Sequence, residues 1–106
     1  MTPEEFVKGF HLEKEALLGL YFSSNPTTQV GETIRSLNLS KDQATKLKSI
    51  LDGALTDMCY TILLGLDGEA QIGGAQEMYK FYDESGDELT GGEIEGFAWK
   101  YFQNKE

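Results

Sequence analysis

One pattern constrains this chain more than any other. From Ala44 the residues Leu47, Leu51, Ala54 or Leu55, Met58 and Ile62 step by three or four positions, while Lys41, Lys46, Lys48, Asp52 and Asp57 lie mainly off that line. Apolar residues at this spacing form one stripe of a helix. Ser40 and Gln43 have the spacing of a capping box at its start, each satisfying a backbone N–H of the first turn. The pattern predicts a helix to about residue 64, roughly 35 Å long at about 1.5 Å per residue. That is the width of a small domain, so the rest of the chain should pack around it as a spine. Gly65 and Gly68 follow it and offer left-handed stopping points.

The flanking segments are read by the same rules. Thr2 and Glu5 form a capping box with Pro3 at the first helical position, so a helix should begin there. Phe6, Phe10, Leu17 and Tyr21, widened by Val7 and Leu18, carry it to about residue 22, where Ser23-Ser24-Asn25-Pro26 stops it. A short helix is expected over Thr28–Leu37 with Val30, Ile34 and Leu37 on one side, despite Gly31. Beyond a loop over Glu69–Gly74, the alternation through Met78–Tyr82 and the turn formers Ser85-Gly86 predict a hairpin of two short strands. Thr90 and Glu93 form a third capping box, and Ile94, Phe97, Ala98, Tyr101 and Phe102 give a C-terminal helix its apolar face. The expected fold is mostly α with a small β component (α+β): three to four helices around the long central one, and one β-hairpin before the last helix. At 106 residues the chain fits one domain, 1–106, burying roughly 65% of its unfolded surface.

Charge narrows the function. Nine basic and eighteen acidic residues leave a net charge of −9, which argues against phosphate backbones and anionic lipid. No nucleic-acid or membrane partner is expected; a basic protein partner is. The apolar run Met58–Leu66 covers nine residues where a membrane span needs about 20. The N-terminal Met1-Thr2-Pro3-Glu4-Glu5 is acidic where a secretory signal is basic. One cysteine and one histidine exclude a disulfide framework and a Cys/His zinc site, and a lone thiol suits the reducing cytoplasm. The first 51 residues hold six acids and six bases; the whole net charge lies after them, and Asp83–Glu95 carries six acids with no base. Seven of the twelve aromatic residues, Tyr79, Phe81, Tyr82, Phe97, Trp99, Tyr101 and Phe102, fall in the same C-terminal region. Crowded like charges repel, whereas acids around amphipathic rings suit steering and capture of a basic protein.

Catalytic material is sparse. His11 has Glu15 one turn on, a pairing that can orient a general base, but nothing places a nucleophile beside it, so a helix-surface or core-edge histidine is expected. Cys59, between Met58 and Tyr60 with Asp57 nearby, lacks the positive charge that activates a thiol and reads as a small hydrophobe. The glycine-rich run Gly65–Gly74 lacks a P-loop lysine, and its Asp67 and Glu69 repel phosphate. The pairs Asp83 with Asp87 and Glu93 with Glu95 could divide acid and base roles, but no sign of a converging cleft accompanies them. No enzyme and no cofactor are expected.

Two resemblances remain. The run from Asp83 to Glu93 resembles an EF-hand calcium loop, with Asp83, Ser85 and Asp87 at its first, third and fifth positions and Glu93 as closing carboxylate. Glu88 stands where that loop needs glycine, and Glu93 arrives one residue early. The residues Leu64-Gly65-Leu66-Asp67-Gly68, Gly73-Gly74, the hairpin run Tyr79 to Gly86 and Gly92-Glu93-Ile94-Glu95 together resemble small acidic bacterial proteins of the polymorphic-toxin immunity type. That resemblance implies a cytoplasmic, non-enzymatic protein that binds and neutralises a basic toxin domain, most concretely a nuclease. Asp83, Glu84, Asp87, Glu88, Glu93 and Glu95 would pair with its lysines and arginines, and Tyr82 and Trp99 would be the anchors. The alternatives are calcium binding through Asp83, Ser85, Asp87 and Glu93, or an acidic regulatory adaptor.

Overall fold

Helices α1 (Pro3–Tyr21), α2 (Gln29–Ser36), α3 (Lys41–Leu66) and α4 (Ile94–Ala98) appear in that order in the computed structural model, and α4 continues as a π-helical turn over Trp99–Gln103. Residues 1–104 are described, and the fold is mostly α. Each start has a local cause. Thr2 Oγ1 accepts from the Glu5 N–H at 3.1 Å while Glu5 Oε1 accepts from the Thr2 N–H at 3.0 Å. Ser40 and Gln43 repeat the exchange at 3.2 and 2.9 Å. At α2, Thr28 Oγ1 accepts from the Gly31 N–H at 2.9 Å. Each cap satisfies donors that the first helical turn otherwise leaves open.

The chain separates into two compact units, one comprising residues 1–11 and 56 onward, the other residues 12–55. The first holds the main core: Val7, Leu63, Ile94, Ala98 and Phe102, flanked by Phe6, Phe10, Cys59, Tyr60, Leu64, Phe81, Phe97 and Tyr101. Phe6 stacks edge-on to Phe10 with centroids 5.2 Å apart and tilts against Phe81 at 5.0 Å. Glu4 Oε2 accepts from Lys100 Nζ at 2.8 Å and from the Tyr101 hydroxyl at 2.9 Å, fastening the start of α1 to the π-helical turn. Thus α3 supplies the fully buried Leu63, and the predicted stripe is in error at Met58, which is 61% exposed. Steps of four from Leu51 through Leu55, Cys59 and Leu63 hold one face; Met58 lies one position off it.

The end of α3 positions the last helix. Glu69 N–H bonds to Leu64 O at 2.9 Å and Gly68 N–H to Gly65 O at 3.1 Å, with Gly68 at φ +80. This is a Schellman stop in which only glycine takes the left-handed position without strain. Gly65, the other candidate stop, stays helical, and a Cβ there would meet the Ile72 side chain. The motif leaves Asp67, 3% exposed, at the helix end. Its Oδ1 accepts from Gly91 N–H at 3.0 Å and Gly92 N–H at 2.9 Å, and its Oδ2 from Glu95 N–H at 3.4 Å. A carboxylate at a helix N-terminus also complements the helix dipole. The capping box expected of Thr90 and Glu93 does not form: Glu93 makes no side-chain cap. Instead Thr90 Oγ1 accepts from the Phe81 N–H at 3.3 Å and donates to Glu88 Oε1 at 3.2 Å. Gly91 and Gly92, both at positive φ, turn the chain between Thr90 and α4.

The expected hairpin is reduced to one antiparallel bridge, Tyr82 to Glu88, and no strand forms among the described residues. Its turn spends several backbone groups on the Asp83 side chain instead of on a ladder, as described below.

In the second unit, Leu18 is buried. The buried Lys14 places Nζ 2.8 Å from Asp52 Oδ1 and 3.6 Å from Glu15 Oε1, which supplies the counter-charge a covered ammonium requires. Gly31 is buried, and a Cβ there would lie 3.0 Å from Pro26 Cβ and 3.1 Å from Leu20 O; close approach explains a glycine inside α2. By length and composition α3 is apolar enough to cross a membrane, with 11% of its most apolar stretch buried; Asp52 and Asp57 also lie on it.

Candidate partner-binding surface

The acidic segment is built on a turn, and Asp83 makes that turn. Its Oδ1 accepts from the backbone N–H groups of Ser85 and Asp87, both at 2.9 Å. Gly86 N–H bonds to Asp83 O and Asp83 N–H to Asp87 O, each at 3.0 Å, with Gly86 at φ +88. A short carboxylate that binds the backbone two residues on is a recognised turn-former. Asp83 Oδ2 is taken by the Met1 ammonium at 2.8 Å, which also lies 3.7 Å from Asp87 Oδ2. The Asp83 side chain is only 12% exposed. Both of its oxygens are engaged within the chain.

The remaining acids stand differently. Glu84, Asp87, Glu88, Glu93 and Glu95 are all exposed. Tyr82 is 57% exposed and Trp99 51%. The other C-terminal rings do not join them: Phe81, Phe97, Tyr101 and Phe102 belong to the core or pack on it. Met78 and Tyr79, expected in the first strand of the hairpin, are exposed large side chains instead, adding a thioether and a ring to the surface that precedes the turn. Alternation from Met78 to Tyr82 was the available signal, and it fits an exposed extended segment as well as a strand.

Of the residues named in the calcium alternative, Asp83 has both carboxylate oxygens committed within the chain. Asp83 directs Oδ1 into its own turn and Oδ2 to the Met1 ammonium, and Glu88, where the loop requires glycine, pairs with Tyr82. Among the described residues no group of three or more His, Cys, Asp or Glu side chains is arranged to hold a metal ion. His11 sits at the core edge, its ring 5.6 Å from that of Phe102 and 6.1 Å from that of Tyr101. Its Nδ1 is buried without a hydrogen-bond partner. Cys59 packs against the core.

Two concavities lie in the second unit. A recess of about 340 Å³ is lined by Glu15, Leu18, Thr45, Lys48, Ser49 and Asp52, and an apolar groove of about 320 Å³ runs between α2 and α3. Neither is lined by a residue of the acidic turn, and neither is marked by a distinct motif in the sequence.

The ionic contacts of the first unit set a pH dependence. The hydrogen bond from Lys100, aided by Tyr101, holds the Glu4 carboxyl below its usual range. The Thr2 backbone and hydroxyl do the same for Glu5, and the Met1 ammonium with the Asp87 and Ser85 N–H groups for Asp83. Each therefore binds a proton less readily folded than unfolded. Their contribution is complete above the ordinary carboxylate range near pH 4 and is lost as pH falls through the lower folded values. The Met1 ammonium is raised by its bond to Asp83, so its contribution is complete below about pH 8 and lost as pH rises through the higher folded value. The unfolding midpoint should be flat from about pH 5 to 7.5 and fall on both sides. In Glu4→Gln the acid limb should become shallower; an unchanged limb would remove Glu4 from this account.

Comparison of the chain with protein-family models, curated proteins and solved structures finds no match in any of the three.

Proposed function

We propose that this protein is a non-enzymatic, cytoplasmic, acidic binding module, in its most concrete form an immunity protein that covers a basic toxin domain. One observation carries the reading: Glu84, Asp87, Glu88, Glu93 and Glu95 are exposed on the same segment as the half-exposed Tyr82 and Trp99. Large amphipathic rings accompanied by exposed acids are the composition of a surface that steers and then anchors a cationic protein. The excess charge strengthens the case, because residues 1–11 and 56–106 carry the entire net −9 of the chain. Asp83 takes a supporting part, holding the turn that displays Asp87 and Glu88.

The test is capture of the partner from the source organism, followed by its expression with and without this chain. The partner should be basic, and toxic only when expressed alone; a harmless partner would leave the binding module and remove the immunity reading. With the partner in hand, Asp87→Lys combined with Glu88→Lys should slow association about tenfold at low salt and weaken its salt dependence, since steering acts chiefly on the on-rate. Stopped-flow mixing at two ionic strengths reads this directly. An unaltered on-rate would move the contact away from this turn.

A further inference from the structure

We draw no further inference here: the strongest candidate, the apolar groove between α2 and α3 lined by Val30, Ile34, Leu37, Leu47 and Leu51, carries nothing because no feature of the structure shows what covers it.

Discussion

Replacing Asp67 by alanine should lower the unfolding free energy by about 3 kcal/mol, out of the 5–15 kcal/mol typical of a domain. Three backbone donors, those of Gly91, Gly92 and Glu95, lose their acceptor together. Hydrogen bonds to a charged group contribute about 1.5–3 kcal/mol each; the sum is discounted here because Gly91, Gly92 and Glu95 are exposed residues that water can reach. The helix they introduce, α4, has five residues, too few to sustain itself without tertiary support. Loss of the cap should therefore loosen Ile94, Ala98 and Phe102, which form much of the core in the first unit. Asp67→Asn keeps one oxygen for Gly91 and Gly92 but presents an amide group where Glu95 N–H needs an acceptor, so about half the loss is expected. Denaturant unfolding followed by the fluorescence of Trp99, the only tryptophan, measures both variants. A loss below about 0.5 kcal/mol for the alanine variant would mean that the start of α4 is held by something other than this carboxylate.

What was legible in the sequence, and what was not, divides by the range of the interaction. The capping boxes at Thr2 and Ser40 are four-residue patterns, and both form where the spacing placed them. Helix α1 begins at Pro3 and α3 at Lys41 for that reason. The third box, Thr90 with Glu93, has an equally good local pattern and does not form: Thr90 Oγ1 is taken by the Phe81 N–H and Glu88, and the start of α4 is instead capped by a residue distant in sequence, Asp67, through Gly91, Gly92 and Glu95. Local spacing cannot register such distant partners. The hairpin was weakened in a similar way: Ser85-Gly86 does make a turn, but Asp83 binds the Ser85 and Asp87 N–H groups and little ladder follows. The same bonds divide the candidate surface, since composition alone treats all six acids alike. Tyr82 and Trp99 were separable from the core rings because they lie off the apolar stripe, and they are indeed exposed. Lys14 was not separable: on charge it reads as a surface residue, and only the placement of Asp52 and Glu15 beside it accounts for its burial.

The phase of α3 provides the second large effect. Truncating Leu63 to alanine should cost about 2–5 kcal/mol, the range for emptying a fully enclosed leucine site, because lost transfer energy adds to an unfilled cavity. Leu63 is completely buried, and its cluster also contains Val7 and Ile94, which among the described residues are the other two large side chains with no exposed surface. Those three arrive from α1, α3 and α4, so little local adjustment can close the gap and a value in the upper half of the range is expected. Met58→Ala and Ile50→Ala serve as controls on the same helix. Met58 and Ile50 are 61% and 65% exposed, and substitutions at such positions usually stay within about 0.5 kcal/mol. The contrast tests which face of α3 is buried, since a stripe running through Met58 would make that substitution costly. Comparable losses for Leu63→Ala and Met58→Ala would rotate the helix from the observed phase. A large loss at Ile50 alone would instead reveal that the first half of α3 is covered in solution, by another molecule that its apolar side chains bind.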